Sequence, residues 1–86
     1  MTMRFEDPAA EFVPAVERVF GTTPRILDGS RAVQIGDVKL SLEAGERELW
    51  VIRTAGPLEH RLAMVEVHED IEDALREAKE RLHELP

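Results

Sequence analysis

Residues 31–43 read RAVQIGDVKLSLE, and their apolar positions change parity at the central glycine and aspartate. Before Gly36-Asp37 the apolar residues are Val33 and Ile35, and after it they are Val38, Leu40 and Leu42. A two-residue turn at Gly36-Asp37 would pair Ile35 with Val38 and Val33 with Leu40, which puts all the apolar side chains on one face. The sequence therefore predicts a β-hairpin with strands at about 31–35 and 38–43.

Three further segments extend this hairpin into a sheet. Residues 25–27 form a short first strand, and Asp28-Gly29 after it supplies the positive φ angles of a tight turn. A four-residue turn at 44–47 leads to an inner strand over 48–54, which brings Leu49 and Val51 opposite Leu42 and Leu40 on the core face. Residues 61–67 alternate with period two and predict a last strand, although Pro57 could instead open a helix through this segment.

An amphipathic helix is predicted at each end of the chain. Asp7-Pro8 has the residue types of an N-cap and a first helical position, and the apolar stripe that follows ends at Gly21. Pro14 lies inside this segment, which predicts a kink, or a regular helix that begins nearer Val13. Asp70 caps the second helix, and the apolar stripe of that helix is Ile71, Leu75, Ala78, Leu82 and Leu85.

Together these elements predict an α+β fold in a single domain over residues 1–86. A sheet with one apolar face needs a covering layer, and the two terminal helices are the elements that can supply it. The expected architecture is a two-layer sandwich, in which an antiparallel sheet of about four to five strands packs against an N-terminal and a C-terminal helix.

Composition limits the classes of function. The 86 residues include no cysteine and carry a formal net charge of −7. Without cysteine there is no disulfide framework and no thiolate metal site, so we expect a cytoplasmic protein. The first residues lack the basic segment followed by an apolar segment that is typical of a signal peptide. No apolar run reaches membrane-spanning length. Since the phosphates of nucleic acids attract lysine and arginine, the net negative charge of the chain argues against a nucleic-acid partner.

Trp50 and Ile52 are the candidate interface residues. The predicted pairing points both to the face of the sheet opposite the hairpin's apolar side, beside Ser41 and Lys39. If both helices pack on the apolar side, Trp50 and Ile52 have no intramolecular cover, and exposed contiguous apolar surface is typical of interaction sites. Alternatively, one helix covers each face, or the turn register differs, and Trp50 is an ordinary core residue.

Few residues have side chains suited to catalysis or metal binding. His60, Glu66 and His68 share one face if 61–67 is a strand, and such side chains could ligate a divalent metal ion. A metal site needs about three or four protein ligands, and no second motif completes this one, so we predict no metal and keep the three only as weak candidates. No phosphate-binding glycine motif and no nucleophile elbow is present, so the sequence predicts no cofactor and no catalytic residues.

Three hypotheses of function follow. The sequence favours a non-catalytic, cytoplasmic protein-interaction or regulatory domain that forms a homodimer or binds another protein. A first alternative is an acidic mimic or inhibitor that binds a basic surface of a partner protein through one face of the last helix: Glu69, Asp73, Glu77, Glu80 and Glu84. A second alternative is a small ligand-binding or metal-binding enzyme domain that uses Arg53, His60, Glu66 and His68.

Overall fold

The structure, a computed structural model, describes residues 8–68 and 70–84. These residues form a helix at each end and a five-stranded antiparallel sheet between them. The helices are α1 (Pro8–Phe20) and α2 (Ile71–Glu84). The strands are β1 (Arg25–Leu27), β2 (Ala32–Ile35), β3 (Val38–Glu43), β4 (Glu48–Ala55) and β5 (Leu58–Glu66), and they lie side by side in chain order. The predicted α+β sandwich is confirmed.

The central hairpin has the predicted register. Ile35 lies opposite Val38 and Val33 lies opposite Leu40, with Gly36 at a φ of 60° in the turn. The turn is hydrogen-bonded to β4: the Thr54 backbone N–H donates to the carbonyl of Asp37 at 2.8 Å. This register decides which side chains of the sheet face the helices.

The next hairpin also follows the prediction. The turn between β3 and β4 spans residues 44–47, and Leu42 and Leu40 lie opposite Leu49 and Val51. The connection between β1 and β2 differs from the prediction. It is a four-residue segment that begins with a 3₁₀ turn at Asp28–Ser30, and the positive φ angles fall on Gly29 and Ser30 rather than on Asp28-Gly29.

Strand β5 begins at Leu58, three residues before the predicted 61–67 segment, and the alternative of a helix through this segment is wrong. The turn at Gly56-Pro57 pairs Ala55 with Leu58, and a β-bulge at Leu62 then shifts the register between Ile52 and Val51. A regular ladder from this turn would point Val65 away from the helices. The extra residue restores Val65 to the core face, where it is 2% exposed, so burial explains the bulge.

Both helices pack on the same face of the sheet. The core joins Phe12, Ala15 and Val16 of α1 with Leu75 and Ala78 of α2, and it includes sheet residues from the four longer strands: Val33, Leu40, Leu42, Leu49, Val51 and Val65. Helix α1 is continuous from Pro8 to Phe20, so the alternative start near Val13 is wrong, and Pro14 lies on its exposed side.

Helix α2 has the predicted cap and stripe. The Asp70 carboxylate accepts a hydrogen bond from the backbone N–H of Glu72 at 2.9 Å. Ile71, Leu75 and Ala78 are buried, and Leu82 packs against the core. The predicted roles of Asp7 and Leu85 lie outside the described residues. Within the described ranges, neither helix has the length and apolar character needed to cross a lipid bilayer.

Candidate functional site

The face of the sheet opposite α1 and α2 carries the predicted interface residues, and we call it the open face. Cross-strand neighbours of an antiparallel sheet point to the same side, so the register arranges this face in rows that run across the strands. The central row has one residue from each strand, and its members are apolar or small: Leu27, Ala32, Ser41, Trp50 and Met64. We call it the apolar row.

Two charged rows flank the apolar row. On the side of the β3–β4 turn lies the acidic row, in which Glu43, Glu48 and Glu66 are cross-strand neighbours. On the other side lies the basic row, which runs through all five strands: Arg25, Gln34, Lys39, Ile52 and Arg61. By the strand positions of these residues, the open face changes from negative through apolar to positive along the strands, and Thr54 and Glu59 form the next row beyond the basic row.

Arg61 and Glu43 form a bridge across β4 over the indole of Trp50. The Arg61 guanidinium carbon lies 4.6 Å from the centroid of the ring, in cation–π geometry. Its two terminal nitrogens donate to the two carboxylate oxygens of Glu43 at 3.3 and 3.1 Å. The Trp50 Nε1–H donates to Glu48 Oε1 at 3.0 Å. These contacts hold the indole in position, and it is half-buried.

Ile52 is covered by its own face of the sheet, so the expectation that it lacks intramolecular cover is wrong. It is 1% exposed although it does not belong to the core under the helices. Its cross-strand neighbours are Lys39 and Arg61, and the ammonium of Lys39 reaches Glu59 on β5 at 3.1 Å. This ion pair spans β4, so the alkyl stem of Lys39 shields Ile52 from water.

The structure brings all four predicted interface residues together on the open face. Ser41 lies opposite Trp50 and Lys39 lies opposite Ile52, as the turn register predicts. Ser41 is 8% exposed and Ile52 is 1% exposed, so Trp50 and Lys39 supply the accessible surface of the set. Sequence reasoning missed the parts that Glu43, Arg61 and Met64 play on this face. The bulge at Leu62 determines which residues of β5 share it, and no residue type marks a bulge in advance.

The weak metal candidates do not share one face. His60 lies opposite Arg53 on the helix side of the sheet, whereas Glu66 lies opposite Glu48 on the open face. The bulge at Leu62 separates them, because it reverses the alternation between residues 60 and 66. His68 Nε2 lies 3.6 Å from Glu66 Oε1. Across the described residues, no group of three or more metal-ligating side chains has a geometry that could hold an ion.

A cleft of about 830 Å³ lies where the β3–β4 turn and the end of β5 approach the start of α2. Glu66 and His68 line it, but Arg53 and His60 do not, so the proposed ligand-binding set is not assembled in one place. Charged side chains of both signs border the cleft, among them Arg18, Arg47 and Glu72. Arg18 forms an ion pair with Glu72, which joins α1 to α2 beside the cleft.

The predicted acidic face of α2 is interleaved with arginines. Asp73 bonds Arg76 at 3.0 Å, and Glu77 bonds Arg81 at 2.9 Å. Glu80 and Glu84 are exposed on the same helix, and Glu69 lies outside the described residues. The arginines lower the negative potential that an acidic mimic would need for this helix.

Three comparisons with known proteins returned no match: no protein-family model, no curated protein and no solved structure matches this chain.

Proposed function

We propose that this chain is a non-catalytic protein-interaction domain that associates with a second copy of itself through the open face. The observation that carries the proposal is the apolar row, which crosses all five strands on the side away from both helices. Its members Leu27, Trp50 and Met64 are half-buried in the single chain. Association would remove the remaining apolar surface of these three side chains from water, which is favourable.

The residue types at the centre of the open face support an interface. Tryptophan and arginine are the residues most often found to dominate binding energy, and here the Arg61 guanidinium stacks on the Trp50 indole. The bridge to Glu43 holds this pair in place before any partner arrives. A preformed contact surface loses less side-chain entropy on association, so it binds more tightly for its size.

The size of the open face supports a weak and reversible dimer. Strands are about 4.8 Å apart and rise about 3.3 Å per residue, so the described face measures roughly 20 by 20 Å. Stable interfaces bury about 800 Å² on each partner, and this footprint is about half of that. We therefore expect a dissociation constant in the micromolar range or above, which suits a regulatory contact that responds to concentration. The cysteine-free sequence supports a cytoplasmic location for it.

Sedimentation velocity from about 10 µM to about 1 mM tests the proposal, because this range brackets the micromolar or weaker dissociation constant that we expect. We expect the wild-type chain to shift from monomer to dimer. Met64→Glu places a charge in the apolar row and should keep the chain monomeric. The matched control is Ile26→Glu, because Ile26 is 54% exposed on the helix side of the sheet. A wild-type chain that stays monomeric throughout would refute the proposal, and so would a Met64→Glu chain that dimerises as the control does.

A further inference from the structure

The order of the three rows on the open face favours one relative orientation of two copies in the proposed dimer. The acidic row, the apolar row and the basic row follow one another along the strands. From this order we infer that two copies pack open face to open face about a two-fold axis that runs along the apolar row, perpendicular to the strands. The inference rests on the proposed self-association and adds the orientation and the residues that specify it.

Two identical faces that pack on each other are related by a two-fold axis that lies between them, and the two limiting directions of this axis are along the rows and along the strands. An axis along the apolar row exchanges its two sides, so the acidic row of one copy lies over the basic row of the other. An axis parallel to the strands keeps each row on its side, so acidic lies over acidic and basic over basic. Like charges brought together across an interface are strongly unfavourable. Charge complementarity therefore selects the first axis.

This orientation gives definite neighbours across the interface. Each charged row is two residues from the apolar row, or about 7 Å along the strand. Lys39 lies over the acidic row of the second copy, within reach of its Glu43 and Glu48. Trp50 and Met64 lie in the apolar row on the axis, so each strand position faces its own counterpart, and the Arg61–Glu43 bridge of each chain lies over its Trp50 indole at the contact. Lys39 and the glutamates of the acidic row thus set the orientation, while the apolar row supplies the buried surface.

The described contacts within one chain leave some donors and acceptors of the charged rows available for contacts with a second copy. The side chain of Glu66 is 69% exposed, and its only described ion-pair partner is His68 at 3.6 Å. Glu48 uses Oε1 to accept the indole N–H, which leaves its second oxygen for a cation from the other copy. The Lys39 ammonium has three donors, of which its bond to Glu59 uses one.

Cross-linking of single-cysteine variants tests the direction of the axis. The chain has no cysteine, so each introduced cysteine is the only thiol that can react. Facing sheets lie about 10 Å apart, so a short bis-maleimide should join two Met64→Cys chains to each other. The control is Glu80→Cys, which is exposed on α2 behind the sheet and lies beyond the reach of a short linker from its counterpart. With the axis parallel to the strands, Met64→Cys would instead link to a Leu27→Cys chain, and that product would overturn the inference.

Charge reversal provides an independent test in sedimentation. Lys39→Glu should weaken self-association about tenfold or more, because it faces the acidic row of the second copy. An equimolar mixture with Glu48→Lys chains should restore association to near the wild-type level. Arg81→Glu is the control, since it makes the same charge change on the exposed side of α2.

The outcomes separate this inference from the proposed function. Dimerisation of the wild-type chain that is insensitive to Lys39→Glu, or that the mixture fails to restore, overturns the orientation and leaves self-association standing. A wild-type chain that never dimerises overturns both. Met64→Cys self-linking together with restoration in the mixture supports the inference.

Discussion

Ile52 is 1% exposed although α1 and α2 both pack on the other face of the sheet. The side chains of Lys39 and Arg61 flank it, and their ion pairs to Glu59 and Glu43 cross β4 on either side. Exposed ion pairs contribute little stability by themselves. Their effect here is to hold two long alkyl stems over an apolar side chain, so the open face has a small buried cluster of its own.

Ile52→Val tests whether this cover is effective. Removal of one methyl group from a buried site should lower the free energy of unfolding by about 1 kcal/mol. Ile26→Val removes the same group from a side chain that is 54% exposed, and it should change stability by less than about 0.5 kcal/mol. Urea denaturation measures both variants. Equal, small effects of the two substitutions would show that Ile52 is accessible to water.

The β3–β4 turn contains three consecutive residues with positive φ: Ala44 at 57°, Gly45 at 66° and Glu46 at 65°. Left-handed backbone costs a residue with a Cβ atom about 1 kcal/mol, and glycine adopts it freely. We therefore expect Ala44→Gly to raise the free energy of unfolding by about 0.5 kcal/mol, and Gly45→Ala to lower it by about 1 kcal/mol.

Thermal and urea unfolding measure this neighbouring pair of substitutions. A Cβ atom at Gly45 would meet no heavy atom within 4 Å, so steric overlap does not contribute to the loss. If the positive φ angles control the turn, the two substitutions must change the free energy of unfolding in opposite directions. Destabilisation by both would mean that packing, and not the φ angles, controls the turn.

At the scale of elements, the amino terminus of α2 depends on Asp70. Its carboxylate satisfies the Glu72 N–H, and the backbone carbonyl of Asp70 accepts from the N–H groups of Asp73 and Ala74. Asp70→Ala removes only the side-chain acceptor, so it should lower the free energy of unfolding by about 1 kcal/mol. Asp70→Asn keeps an oxygen acceptor and should remain near the wild-type value.

Chemical denaturation compares the two Asp70 variants directly. Glu84→Ala, an exposed change in the last turn of α2, serves as the control for loss of one negative charge. Equal losses for Asp70→Ala and Asp70→Asn would assign the effect to the charge and exclude capping by the side-chain oxygen.

The elements differ in how far the sequence predicts them. The hairpin of β2 and β3, the register of β4 and the cap of α2 follow from local rules, because each depends on alternation, a turn length or a capping residue. Strand β5 does not, since its four consecutive apolar residues from Leu62 to Val65 fit several registers. Burial of Val65 against the helices selects the bulged register, and such a tertiary preference is not visible in the local pattern.

The candidate site was predictable to a similar extent. The hairpin register places Trp50, Ile52, Lys39 and Ser41 on one face, and the structure has them there. The bridge from Arg61 to Glu43 joins residues of β5 and β3 across β4, so it depends on the bulged register of β5 as well. For the same reason the grouping of His60 with Glu66 failed.

At the scale of the whole molecule, both helices cover one face of the sheet and the open face is left to side chains of the sheet itself. A domain of this size buries a limited share of its surface, so the proposed association through a second face would add apolar burial that the single chain does not have. The same face carries both charge signs in an order that can complement itself. Self-association through the open face is therefore the claim on which the functional account depends.

A dilution series followed by ¹H–¹⁵N correlation spectra tests this claim most directly. The chain has one tryptophan, so its indole N–H gives a single signal at the centre of the open face. Between about 1 mM and about 10 µM, the range that brackets the expected dissociation constant, we expect that signal and the amides of the apolar row to shift while those of α1 and α2 stay constant. An indole signal that does not move with concentration, or shifts confined to the helices, would contradict the account.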